Sequence, residues 1–469
     1  IAVAAAGGIV VAVIMMGGWA ERDWDTLELS LSDNPTTLDP VLIKDVSGGR
    51  LAALLYPNLV KYGQDDVLRG DLAEKWEVGD GGSVYKFRLR EGARFSDGGA
   101  ITARDVAASF ERALAPDMAC PRAWVLNTIK GAQAFHEGRA QRIEGVKVDS
   151  ELDLRIELEK PSGIFLSLLT MPQAAVLPAA TTRKHLWGVD PQPVAGGPYR
   201  IARLEPDVAL TLAANPYYGA AAASPAKIRY RVIRNPFAAV TEFRQGRLDI
   251  IEIPDAFDRF FMGDSKWSSY IDSVEGLNVY YLGFNCTRAP FDNRELRRAI
   301  CMAIDRQAII DAVLHGKATA AAGPIPPGLP GYDASFQGLP HDANEAQKAV
   351  GAAKPDRTLA LLVTANADSI IVAQALAGQF KAAGLSVEVT PREKGTFKAL
   401  LRDGDFDMVY YSWVADYADA ENFLAPLFTT SADRSGGNYT AYSNTAFDAL
   451  MALAGLTTDE GERAGVYGM

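Results

Sequence analysis

Asp405-Phe406-Asp407-Met408-Val409-Tyr410-Tyr411-Ser412-Trp413-Val414-Ala415-Asp416-Tyr417, running on to Asn422-Phe423-Leu424, is the stretch around which the rest of the chain is read. Met408 to Trp413 is an apolar, aromatic-rich run with the composition of a strand. It ends in a polar, aromatic loop that offers one carboxylate, Asp416, between Trp413 and Tyr417. An ionised aspartate flanked by aromatic faces suits a small cationic group such as an ammonium. The same residue also reads as a turn aspartate capping the helix that follows.

Working outward, Phe397–Arg402 is a helix that leads into this strand. Before it, Leu359–Val363, a helix over about 370–383 stopped by Gly384, and Leu385–Thr390 form a strand–helix–strand unit, a connection that favours parallel pairing. Asp403, Asp405 and Asp407 precede the strand without the ring of oxygen ligands a divalent cation needs, so they read as a solvated acidic turn. Further back, Val279–Asn285 is a strand. One stripe then joins Leu296, Ile300, Ala303 and Ile304 to Ile310, Val313 and Leu314, predicting a single helix from Arg294 that stops at Gly316.

The first half of the chain is strand-rich. Leu27 to Ser32 alternates as a half-buried strand, and Asp33-Asn34-Pro35-Thr36 turns the chain before Leu38-Asp39-Pro40. A helix covers Gly49–Leu55. Tyr85, Phe87 and Leu89 alternate with Lys86, Arg88 and Arg90, a strand with a basic, solvated face. Thr102 is placed to cap a helix from Ala103 whose stripe is Val106, Phe110 and Leu114. Leu152, Leu154, Ile156 and Leu158 mark another strand. Trp124, in an irregular segment, reads either as local packing or as a ligand-facing aromatic.

With 469 residues, 48% hydrophobic and 22% charged, the chain is globular and long enough for two or three domains. A formal net charge of −11 excludes nucleic acid as the main partner, since a phosphate backbone needs a basic face. The three cysteines, Cys120, Cys286 and Cys301, form no CxxC pair and read as buried small hydrophobes, with a Cys286–Cys301 disulfide as the alternative. The four histidines are scattered, and no HExxH, GxSxG or GxxxxGK[ST] occurs, so no catalytic residue, metal site or cofactor is assigned. Residues 1–20 are apolar throughout and read as a signal peptide without its leader, or as a membrane anchor.

Several stretches carry a resemblance. Trp413-Val414-Ala415-Asp416-Tyr417 with Asn422-Phe423-Leu424 is similar to a W-x-A-D-Y…N-F-L signature. Leu72 to Pro116 supplies A-x-x-W, a D-G turn, F-x-L-R, F-S-D-G and T-A-x-D-V in order. Gly197-Pro198-Tyr199, Phe243 to Ile250, Arg297 to Arg306 and the Gly323–Gly328 proline loop add to it. Together they resemble the peptide-type (family 5) extracytoplasmic solute-binding proteins of ABC importers. The chain departs from that pattern at Gly219, where a tryptophan is usual, and at its closing residues Gly465–Met469, which do not resemble the family's return to the first lobe.

The resemblance implies an α/β fold of the two-lobed, periplasmic-binding-protein type II-like kind. It would have mixed sheets, a hinge, and an extra subdomain in the first lobe. The first lobe would be 27–60 with 190–275, the subdomain 61–189, and the second lobe 276–469. It further implies a protein that captures oligopeptides or dipeptides between its lobes and delivers them to permease transmembrane subunits. Such a protein is a monomer, is not an enzyme, and works in the periplasm or on the cell-envelope exterior. Asp416 would hold the peptide's α-amino group, with backbone near Ser412 and Val414 and with Trp413 and Tyr417 beside it. Asn34, Asn285 and Trp124 are the remaining ligand-binding candidates. For the peptide carboxylate, Arg392 and Arg288 are candidates by charge alone. The alternatives are a non-peptide solute in the same fold (nickel complex, haem, opine or cell-wall peptide) and, from another class, an envelope hydrolase, which would need a nucleophile–base pair.

Overall fold

The computed structural model describes residues 10–14, 25–63, 65–180, 193–219, 223–274, 276–353 and 357–469. The chain separates into two compact units, divided between Glu275 and Gly276.

In the first unit a mixed four-stranded sheet runs in the order Thr26–Leu31, Lys227–Val232, Ala209–Ala214, Tyr199–Glu205. The first pair is parallel and the other two are antiparallel. Leu31, Ile228, Leu210, Leu212, Ile201 and Tyr199 pack on Leu51, Ala52 and Leu55 of the helix Val46–Leu55. That helix begins three residues before the sequence reading because Asp45 caps it, accepting from the Gly48 N–H at 2.8 Å.

A second, antiparallel sheet follows the order Ala73–Gly79, Val84–Leu89, Asp153–Glu157, Val146–Val148. Tyr85, Phe87, Leu89, Leu154 and Ile156 are buried, while Lys86, Arg88 and Arg155 alternate onto its other face. Thr102 and Asp105 form a capping box on the helix Ala103–Leu114, whose stripe Val106, Phe110 and Leu114 is fully buried. Arg112 on that helix meets Asp39 of the Leu38-Asp39-Pro40 turn in a buried bidentate pair at 2.9 and 2.6 Å. Of the apolar segment 1–20, Val10–Ile14 is the middle strand of a small antiparallel sheet, between Ile250–Glu252 and Ile271–Val274. The rest of that segment lies outside the described residues.

The second unit is built on a sheet ordered Asn278–Phe284, Met408–Val414, Leu359–Thr364, Val387–Arg392. The strand–helix–strand connection gives the parallel pairing expected of it, from Leu359↔Val387 to Thr364↔Arg392. The edge strand Asn278–Phe284 runs antiparallel to Met408–Val414. One face buries Leu359, Leu361, Val363, Met408 and Phe380. The opposite face buries Leu362, Val409, Phe397, Leu401 and Tyr439.

Two readings need correction. The stripe from Arg294 is two helices, Arg294–Ala303 and Arg306–Ala312, because Asp305 leaves helical geometry and caps the second one through the Ala308 N–H. Asp407 is not solvated: Arg357 grips it at 2.7 Å through both guanidinium nitrogens and Ala360 N–H donates at 2.9 Å. Burial acts to raise its carboxyl, but these hydrogen bonds and the Arg357 charge outweigh burial and hold it below the usual carboxylate range. Cys120, Cys286 and Cys301 are all free thiols. Among the described residues no helix is long and apolar enough to cross a membrane.

Candidate functional site

The strand Met408–Val414 is paired along its whole length on one side, from Phe284↔Met408 to Asn278↔Val414. On the other side its ladder is confined to Leu361↔Met408 and Leu362↔Val409. Asn285 N–H donates to Asp407 O and Ala415 N–H to Leu277 O, each at 3.0 Å, so the odd-numbered positions bond toward the edge strand. Alternation then turns the N–H and C=O of Ser412 and Val414 the other way, beyond the point where the Leu359–Thr364 ladder ends. This is a short length of strand edge at the carboxyl end of a parallel sheet, where α/β sheets characteristically receive ligands.

Asp416 follows directly on this edge, with its side chain exposed. The turn that presents it is pinned from below by Asn422, which is 2% exposed. The Asn422 side-chain oxygen accepts from the Asp416 N–H at 2.9 Å, and its backbone oxygen accepts from the Trp413 indole N–H at 2.7 Å. Gly437 lies under the Trp413 ring. A Cβ there would sit 2.9 Å from ring carbons, and φ of 130° already disfavours other residues.

Tyr417 is buried, its hydroxyl bonded to the Glu421 carboxyl. Asp419, also buried, accepts from Arg463 at 3.1 Å and from the Tyr467 hydroxyl at 2.8 Å. The closing helix Glu460–Tyr467 therefore braces the loop. Burial pushes the Glu421 carboxyl up to about 7, with the Asp419 charge adding to it. On the strand itself, Tyr411 packs edge-on to Tyr439, and the Lys398 ammonium lies 4.7 Å from the Tyr411 ring centre.

Five of the eight sequence candidates thus come together: Ser412, Trp413, Val414, Asp416 and Tyr417. Asn285 does not join them. It stands at the opposite end of the strand pair, on the order of 20 Å along the strand from Val414 at the usual rise per residue. Its side-chain amide donates there to Gly404 O and Phe406 O at 2.9 and 3.2 Å. Arg288 is at that same end, bonded to Asp405 and Asp407. Arg392 closes its strand at the level of Thr364. Asn34 and Trp124 belong to the first unit. There Asn34 donates to the Asp207 carboxylate at 2.8 Å, and Trp124 is 41% exposed.

The sequence reading missed Asp419, Glu421, Arg463 and Tyr467. Two further carboxylates within five residues of Asp416 were the available signal; the partners of Asp419, more than forty positions on, were not signalled. Among the described residues no group of three or more His, Cys, Asp or Glu side chains is arranged to hold a metal ion.

An α/β chain with an open strand edge and an adjacent exposed carboxylate at the carboxyl end of its sheet has the build of a protein that binds small solutes. The chain belongs to the bacterial extracellular solute-binding proteins, family 5, whose model matches residues 67–435. It is similar to heme-binding protein A of Haemophilus influenzae, at 28% identity over 92% of this chain and 82% of that protein. A probable D,D-dipeptide-binding periplasmic protein of Escherichia coli is 27% identical over 94% of this chain and 85% of its own length. The solved structure of clavulanic acid biosynthesis oligopeptide binding protein 2 superposes with a TM-score of 0.83 at 25% identity, covering 94% of this chain and 86% of that one. The fold is the two-lobed, mixed α/β type of these binding proteins.

Proposed function

We propose that this protein is the solute-capturing subunit of an ABC importer and that its solutes are peptides, held by Asp416 and by the backbone of Ser412 and Val414. The observation that carries the reading is the conjunction of an open strand edge with a pinned carboxylate one turn beyond it. An extended peptide adds to such an edge through main-chain hydrogen bonds, which gives affinity without reading side chains. Its α-ammonium then meets Asp416, a charge-assisted contact. Trp413 and Tyr417 shape the turn, while Asn285, at the far end of the strand pair, takes no part in this contact. Binding is all the protein does chemically; it hands the solute to permease subunits in the membrane and works outside the cytoplasm. The D,D-dipeptide relative supports a peptide ligand.

Haem is the second reading, favoured by the Haemophilus influenzae relative. Haem has no ammonium group, so one substitution separates the two. Asp416→Asn weakens calorimetric affinity for trialanine by roughly 1.5–3 kcal/mol, the range for a hydrogen bond to a charged group, and leaves haem binding as it was. Unchanged trialanine affinity in the variant would remove Asp416 from the site.

A further inference from the structure

A pair of lysines without acid partners stands beside the open strand edge. The strand Val387–Arg392 leads into the helix Lys394–Asp403, so that helix starts at the carboxyl end of the sheet. It packs Phe397 and Leu401 on the Val409 and Tyr439 face. The Phe397 ring centre is 5.0 Å from that of Tyr411. One residue on, the Lys398 ammonium lies 4.7 Å from the Tyr411 ring centre and 5.7 Å from that of Tyr439. Burial pushes the Tyr411 hydroxyl up, and the charge of Lys394, one turn before Lys398, acts against it. Among the described residues neither lysine forms an ion pair with a carboxylate. The acid between Arg392 and Lys394 is Glu393, and it turns its carboxylate to the Gly395 N–H at 3.0 Å. Like charges four residues apart oppose one another in a helix, so the pair works against the fold unless an anion comes to it.

Tyr411 is five residues before Asp416, roughly 16 Å back along the strand at the usual rise. A peptide with its ammonium at Asp416 runs back past Val414 and Ser412 toward this level. Four extended residues span about 13 Å, and a hydrogen bond of about 3 Å at each end covers the remainder. We propose that Lys398, with Lys394 behind it, is a specificity-determining residue that selects solutes carrying a carboxylate about four residues from their ammonium group. The inference rests on Asp416 being the partner of that ammonium. The carboxylate is the terminus of a tetrapeptide or an acidic side chain near its third residue. The rings hold the lysine ammonium in place, so it meets the anion already oriented and without a counter-ion to give up.

The test is calorimetric affinity for two matched pairs of peptides in wild type, Lys398→Met and Lys398→Arg. Tetraalanine against its C-terminal amide probes the terminal carboxylate. Ala-Ala-Glu-Ala amide against Ala-Ala-Gln-Ala amide probes the side chain. Wild type prefers the charged member by about tenfold, the lower end for a hydrogen bond to a charged group, because the ammonium is half-buried. The pair or pairs that respond name the source of the carboxylate. Lys398→Met keeps an apolar stem over the rings, loses the preference, and binds the uncharged members as wild type does. Lys398→Arg keeps the preference. A wild type that prefers neither charged member overturns the inference, and so does a preference that survives in Lys398→Met. Asp416→Asn weakens all four peptides alike, since each carries the ammonium. If it weakens none while the Lys398-dependent preference stands, Lys398 is upheld as the anion-recognising group and Asp416 is struck from the site.

Discussion

Asn422 does two things at once: its side chain fixes the backbone at Asp416, and its carbonyl fixes the Trp413 indole. Asn422→Ala removes only the first, because the carbonyl is retained. The Asp416 N–H is left without its acceptor, a loss of about 1–3 kcal/mol where the group stays partly buried. Urea unfolding should show that loss, and trialanine affinity should fall while the Trp413 environment stays native. Asp416 stands out in the sequence because an acid between aromatics is conspicuous, and the structure leaves it exposed. Asp407 was misread for the opposite reason. A run of three aspartates looks solvated until the fold brings Arg357, fifty positions away, against one of them.

At the scale of elements, periodicity carried most of the reading. Tyr85, Phe87 and Leu89 fall on the buried face because strand alternation leaves them no other. The strand–helix–strand unit paired in parallel because a crossover permits little else. The stripe from Arg294 failed in an instructive way. Its apolar residues keep helical spacing across Ile304 and Asp305, yet the helix breaks there. Periodicity measures which face is buried, and two helices sharing a buried face give nearly one pattern. The informative residue was Asp305, whose carboxylate accepts from the Ala308 N–H at 2.9 Å. Asp305→Ala should destabilise the protein by about 0.5–2 kcal/mol in chemical denaturation, the cost of a lost N-cap. An unchanged midpoint would make the break a matter of packing alone.

For the whole molecule, acidic groups pull stability in opposite directions with pH. Glu242 is held down to about 2, chiefly by its hydrogen bond from Arg247 with Arg231 also bonded to it. Its contribution is present above 4.5 and is lost as pH falls toward 2. Glu421 works the other way. Its folded carboxyl titrates at about 7 against an ordinary 4.5, so folding is favoured at low pH and loses that contribution as pH rises through 7. A neutral isostere escapes the loss. Glu421→Gln should therefore match wild type near pH 4.5 and unfold at higher temperature than wild type at pH 8. The gap at pH 8 is bounded by the shift from 4.5 to about 7, which corresponds to at most roughly 3–4 kcal/mol. Thermal scans at both pH values decide it. A variant less stable at pH 8 by the same margin as at pH 4.5 would mean that the carboxyl is ionised in the native state and that Arg463, not a proton, balances its charge.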